Sequence, residues 1–252
     1  PRNISISLRY SFIQMPSNNF EPRMADQKIG YFTSRKTNLS STDITPYEDF
    51  IHKWNLQKKY PDKEISEPIE PITFWIENTT PEELKPYIKE GALAWNESFE
   101  QAGFKNAIEI KEQPDDADWE AGDIRYNVLR WTSSPNPPFG GYGPSFVNPR
   151  TGQIIGADIM LEWVYVTNRL AVDKIFPTYQ PYKYCLAGLV MQESNILGNI
   201  VQSTKGLSDH PKILKQSIIR LTLHEIGHTL GLNHNFKASY LNNSTVIHDP
   251  EI

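Results

Sequence analysis

The sequence contains one cysteine, Cys185, in 252 residues. A single thiol excludes an internal disulfide framework and a cysteine-rich zinc site, and its apolar setting, KYCLAGLVM, reads as a buried structural thiol. Long apolar runs are missing as well. Nothing approaches the ~20 residues of a membrane-spanning helix. The chain opens PRNISISLRY, with neither an initiator methionine nor an apolar leader, as a mature or excised fragment does. Positive charge is not gathered anywhere: the net charge is −5 and no basic run or face is evident, so nucleic acid is excluded as the expected partner. There are four methionines, Met15, Met24, Met160 and Met191, and none follows His234. No internal repeat and no low-complexity segment is visible.

What remains is ordinary globular material. Hydrophobic residues make up 38% and charged residues 22%, in a length that supports one large domain or two small ones. Residues 1–70 read as irregular. ISISLRYSFI (Ile4 to Ile13) alternates like a strand. The stretch from Met15 to Lys63 is rich in Pro, Asn, Ser and Thr and is expected to wrap a neighbouring surface. SEPIEPI reads as an extended linker.

Pattern sharpens after Pro71. PITFWIE (Pro71 to Glu77) predicts a strand. Thr80, with Pro81 next and Glu83 three residues on, predicts a capping box opening a helix that Gly103 closes. AIEIKEQ (Ala107 to Gln113), DIRYNVLRW (Asp123 to Trp131), a segment from Tyr142 to Asn148 and IIGADIMLEW (Ile154 to Trp163) predict four further strands. Residues 164–208 read as mostly helical. Asp209 then caps a long helix with Pro211 at its first position and its end near Gly231. The order predicts an α+β fold, with helices packed on one mixed sheet.

The densest chemistry is HEIGHTLGLNH, which holds three of the six histidines between His224 and His234. Residues i and i+4 of a helix differ by about 40° and one turn, so His224 and His228 project side by side. Glu225 borders the same face and can reach a water at an ion held there. On a continued helix His234 would lie about 240° round from His228 and point away. A break at Gly231, where glycine accepts a left-handed conformation, lets His234 return as third ligand. Three ligands with a fourth position left for water is a catalytic arrangement, in which a divalent ion brings the pKa of bound water to near 7. His-Glu-x-x-His arises in about one shuffle in a hundred of this composition, but adding Gly231 and His234 lowers that to on the order of 10⁻⁵. The extended pattern is therefore taken as a site.

HExxHxxGxxH is the zinc motif of the metzincin clan of metallopeptidases, and every fixed position matches. ALAWNESFEQAGF, DIRYNVLRW, FVNPRTGQIIGADIMLE and LTLHEIGHTLGLNHNFKAS also resemble a family of large bacterial zinc-dependent metalloproteases found in Bacteroidetes. The resemblance implies a metzincin-like upper subdomain: a twisted mixed sheet of about five strands with an edge substrate strand, a backing helix and a long active-site helix. It implies three regions: an N-terminal extension over 1–70 wrapping the catalytic domain, the upper catalytic subdomain over 71–231, and the start of a lower subdomain over 232–252. It also implies an extracytoplasmic location. Metzincins carry a methionine turn below the zinc. Here STVIHDP (Ser244 to Pro250) offers only Ile247, and the expectation is that the turn lies beyond Ile252.

By this resemblance the chain is a zinc endopeptidase, with His224, His228 and His234 as ligands and Glu225 as base. Its partner is a polypeptide in extended conformation, added as a strand along the edge near Gly141, Tyr142, Gly143, Ser145, Phe146 and Val147. Gly140, Gly141 and Gly143 would allow close approach there, or form an ordinary flexible loop. The second reading is a zinc-binding interaction module without peptidase activity, against which Glu225 argues. Asp115, Asp116, Asp118, Glu120 and Asp123 carry oxygen ligands of the kind calcium takes, but without EF-hand spacing, and read as a solvated acidic turn. His52, His210 and His248 are isolated and read as surface or capping residues.

Overall fold

In chain order the elements are β1 (Thr33–Thr37), β2 (Tyr47–Ile51), β3 (Lys53–Trp54), β4 (Ile72–Ile76), α1 (Lys85–Leu93), α2 (Trp95–Gln101), β5 (Ile108–Glu112), β6 (Asn127–Thr132), β7 (Gly141–Tyr142), β8 (Ser145–Val147), β9 (Gln153–Ala157), β10 (Ile159–Glu162) and α3 (His210–Thr229). They come from a computed structural model that describes residues 5–8, 10–26, 28–134, 140–163 and 210–235, with α3 side chains from Leu214 onward. The expected helices over 164–208, the Asp209 cap, Cys185 and Ile247 lie outside the described residues.

β4 lies inside a five-stranded sheet of order β5-β4-β6-β10-β7. β5, β4, β6 and β10 run parallel and β7 is antiparallel on the edge. This is a mixed sheet in an α+β chain, as expected. ITFWI alternates buried and half-buried positions along β4, the period of two that a strand imposes. Ile72, Phe74 and Ile76, with Ile108, Leu129, Ile159 and Leu161 of neighbouring strands, face Ile88 and Ala92 of α1 and Ile218, Leu221 and Ile226 of α3. The opposite face carries Trp75 and Val128, covered by Trp119, Ala121 and Tyr126 from the acidic loop and the turn after it. Trp119 stacks on Tyr126 at 3.9 Å between ring centroids. The acidic loop therefore has a packing role through its one tryptophan. Among the described residues no helix is long and apolar enough to cross a membrane.

Several expectations are corrected. The expected strand over Ile4–Ile13 is absent among the described residues, and Ile6, Leu8, Tyr10 and Phe12 are 76%, 74%, 73% and 92% exposed. Alternation prepares one face of a strand, but a strand also needs a ladder partner, and none lies beside it among the described residues. Thr80 does not cap. The helix starts at Lys85 with Leu84 in the cap position, and the Thr80 hydroxyl is buried without a partner. Pro86 explains the shift. A helix begun at Pro81 would place Pro86 in its interior, where it removes a hydrogen bond and clashes, whereas a start at Lys85 places it in the first turn. Gly103 does close α2, at φ +86°, in a Schellman arrangement: Gly103 N–H donates to the Glu100 carbonyl and Phe104 N–H to that of Phe99.

The strand expected from Asp123 begins only at Asn127. Asp123 Oδ1 instead accepts from Arg125 N–H and its carbonyl from Tyr126 N–H, making a turn. The single edge strand expected over Tyr142–Asn148 is two pieces in different sheets, β7 beside β10 and β8 beside β9, with Pro144 between them. The strand expected over Ile154–Trp163 is likewise split at Asp158 into β9 and β10. Asp158 N–H donates to the Pro144 carbonyl, and its carboxylate accepts from Val128 N–H at 3.2 Å. The N-terminal region also contains structure that its composition concealed. β1 and β2 form an antiparallel hairpin, and β3 pairs in parallel with β9 in a three-stranded sheet of order β3-β9-β8.

Candidate metal centre

α3 buries one side against the sheet and α1, and its last turns carry His224, Glu225 and His228. The rings of His224 and His228 lie 4.6 Å apart at 82°. The helix then ends as the motif requires. Gly231 has φ +95°, its N–H donates to the His228 carbonyl, and Leu232 N–H donates to that of Gly227. This second Schellman turn reverses the chain within three residues. His234 comes back to within 4.8 Å of His228 and 5.3 Å of His224, measured between ring centroids.

The ligand atoms of the three histidines all lie within 4.8 Å of one another. His224 Nε2 and His234 Nε2 are 3.3 Å apart. Two imidazole nitrogens bound tetrahedrally at about 2.0–2.1 Å from zinc stand about 3.3–3.4 Å apart, so this pair already spans one edge of a zinc tetrahedron. His228 Nδ1 lies 2.9 Å from the Leu232 carbonyl. That contact makes Nδ1 the donor and places the lone pair on Nε2, the second-shell arrangement typical of a metal-ligating histidine. Burial, and then the neighbouring His228 and His234, lower the pKa of His224 to about 4. Burial, and then His228, lower that of His234. Neutral imidazoles with convergent lone pairs fit a divalent ion.

Glu225 is 3% exposed. Burial raises its pKa to about 7, against the opposing effect of a hydrogen bond from Gly143 N–H. A carboxyl poised near neutrality can both take and give a proton. Its seat is made by β7. A Cβ on Gly141 would stand 2.5 Å from Glu225 Oε1, and one on Gly143 would stand 2.7 Å from the Glu225 carbonyl oxygen. Two glycines thus let the sheet edge press onto the helix.

The structure places Gly141, Tyr142 and Gly143 beside this carboxyl, with Tyr142 exposed. Ser145, Phe146 and Val147 lie on β8 in the three-stranded sheet. Ser145 Oγ contacts the Thr229 carbonyl at 3.4 Å, and Phe146 sits against Gly156. Phe32, His52 and Trp54, which the motif could not indicate, also reach the end of α3. His52 is half-buried beside Ser34, so its reading as an isolated surface histidine is corrected. The Trp54–Thr229 contact alone spans 175 positions, so no local pattern could announce it.

Residues 1–59 match a family model described as a domain of unknown function (DUF5117). No curated protein and no solved structure matches the chain. The match that bears on the histidines spans residues 207–252, and the family it identifies there is described as Met-zincin, the kind of zinc site that the convergence of His224, His228 and His234 fits.

Proposed function

We propose that the chain is a zinc-dependent endopeptidase. The observation that carries this reading is the meeting of three imidazoles, one pair of them at zinc-like spacing, with a buried, backbone-held carboxyl on the residue after His224. His224, His228 and His234 would hold the ion. A bound zinc supplies Lewis-acid polarisation of a peptide carbonyl and of the attacking water. Glu225 takes the proton of that water as its oxygen bonds to the carbonyl carbon, and gives it to the amide nitrogen as the C–N bond breaks. Gly143 N–H fixes where the carboxylate waits. An extended polypeptide, added as a further strand at the edge formed by Gly141, Tyr142 and Gly143, brings its scissile bond close to Glu225.

The test compares wild type with Glu225→Gln, both loaded with zinc, on casein and a mixed peptide library. The expected result is cleavage by wild type and a loss of about 10²–10⁴-fold in the variant. Equal turnover by both proteins refutes the role of Glu225. Stoichiometric zinc uptake with no cleavage by either refutes the peptidase reading and leaves a zinc-binding module.

A further inference from the structure

Three backbone groups of the turn between His228 and His234 find partners in the N-terminal segment: the carbonyls of Thr229, shared with Ser145 Oγ, and of Gly231, and the N–H of Asn233. Trp54 Nε1–H donates to the Thr229 carbonyl at 2.9 Å. Phe32 N–H donates to the Gly231 carbonyl at 2.8 Å, and Asn233 N–H donates to the Gly30 carbonyl at 2.9 Å. Tyr31 and Leu232 thereby form an antiparallel bridge. The Phe32 ring lies 5.6 Å from that of His228 at 56°. Behind it, His52 N–H donates to the Phe32 carbonyl at 2.8 Å, and the His52 carbonyl sits 2.1 Å from where a Cβ on Gly231 would be.

We propose that Gly30–Phe32 and Trp54 are positioning residues of the metal centre, so that the N-terminal segment sets how tightly the three histidines hold zinc. This rests on the zinc reading of those histidines. The physical reason lies in how His234 is carried. His224 and His228 are fixed by α3, but His234 hangs on residues 231–233. Inside the turn, that span is tied back to a ligand by Gly231 N–H on the His228 carbonyl and by the contact of His228 Nδ1 with the Leu232 carbonyl. The bridge to Gly30–Phe32 holds both sides of the same span. The Phe32 ring packs against the His228 imidazole, whose Nδ1 makes the bond that fixes the tautomer. Trp54 secures the last helical turn from which the reversal starts. A ligand set assembled in advance binds its ion without first ordering the chain, and loss of such outer-shell partners typically costs about 10–100-fold in metal affinity.

The test measures zinc affinity of the full chain by competition with a chromophoric chelator, with thermal melting of the metal-free protein recorded alongside. Phe32→Ala is expected to weaken zinc binding about 10–100-fold and Trp54→Phe about 10-fold. Phe32→Leu, which restores apolar cover, is expected to recover most of the loss. Arg35→Ala, which breaks an exposed pair with Asp49 in the same segment, is expected to leave affinity unchanged. The visible spectrum of the cobalt-loaded protein should shift in Phe32→Ala and not in Arg35→Ala. Phe32→Ala and Trp54→Phe proteins that melt cooperatively and hold zinc within about twofold of wild type overturn the proposal. An affinity loss that vanishes at temperatures where the variants are fully folded also overturns it, since the segment then acts on stability alone. Should Phe32→Ala not fold, Trp54→Phe decides, because it keeps an aromatic ring and deletes the one donor. A wild-type chain that takes up no zinc sinks the metal-centre reading itself, a result distinct from unchanged affinity in the variants.

Discussion

Gly141 and Gly143 both touch Glu225, but they touch different parts of it, and substitution at the two positions should separate catalysis from folding. A Cβ on Gly141 would stand 2.5 Å from Glu225 Oε1 and 2.8 Å from its Cδ and Cγ. A methyl carbon needs about 3.4 Å or more, so the carboxylate must retreat by about 1 Å. It belongs to a side chain and can rotate away, so the fold survives while the base moves. Misplacement of this size can cost about 10²-fold in rate, or about 2.7 kcal/mol. In Gly143→Ala the new carbon would instead stand 2.7 Å from the backbone oxygen of Glu225 and 3.2 Å from Thr229 Cγ2. No rotamer change relieves contact with a helix backbone, and overpacking of this kind costs about 1–3 kcal/mol. At about 2–4 °C per kcal/mol for a chain of this size, melting should fall visibly. The measurement is kcat/KM on the best peptide from the library, with zinc stoichiometry and melting temperature for each variant. Gly141→Ala should lose about 100-fold in kcat/KM with zinc retained and melting nearly unchanged. Activity within about threefold of wild type for that variant, at full zinc loading, would show that the carboxylate position does not govern the reaction.

Gly231→Ala should be the most damaging single change at the site. It forces a side chain into φ +95° and a Cβ to 2.1 Å from the His52 carbonyl oxygen, so loss of zinc binding or of soluble protein is expected, and a variant with normal zinc affinity would contradict the turn described. Asp158 supplies a pH test away from the metal. Burial raises its pKa from 3.8 to about 6, against Val128 N–H and Arg130, which lower it. A folded-state pKa above the unfolded one contributes stability that is present below about pH 4 and lost as pH rises through about 6. Asp158→Asn keeps an oxygen for Val128 N–H without the charge. Relative to wild type it should therefore gain about 1 kcal/mol between pH 4 and pH 7.5, a figure reduced for partial solvent access. Denaturant melts at the two pH values check this, and a difference that does not change with pH rules it out.

The histidine site was legible because the placement of its three ligands is local. The i and i+4 spacing aligns two ligands, and the third is useful only if the helix breaks, which places a glycine at one position. β4 and β5 were legible for a related reason: a strand packed on the core prints its period of two directly onto apolar residues. Partners far along the chain were not legible. TSRKT and YEDFI form a hairpin across a nine-residue connection, with polar residues on both faces and no alternation to read. ISISLRYSFI alternates better than either and finds no partner among the described residues. At Thr80 two local rules competed, and the proline at 86 outweighed the capping pattern because an interior proline costs about 3 kcal/mol against about 1 for a cap. The division of 154–163 at Asp158 follows from Pro144 and Val128, which fix that residue from two other segments.

The pairing of β7 with β10 limits how a peptide uses the sheet edge. In an antiparallel pair, successive residues direct their N–H and C=O groups to opposite sides. The Gly140 carbonyl accepts from Glu162 N–H and Tyr142 pairs with Met160, so both turn inward to β10. Gly141 and Gly143 therefore turn outward. Gly143 N–H is already committed to Glu225. Among the described residues, the groups this short edge turns outward to an extended substrate are those of Gly141 and the carbonyl of Gly143. Under the peptidase reading, what β7 contributes is placement of the scissile bond beside the base. The chemistry of the centre thus follows from eleven consecutive residues, while its alignment depends on Gly143 from the sheet edge and on Phe32 and Trp54 from the N-terminal segment.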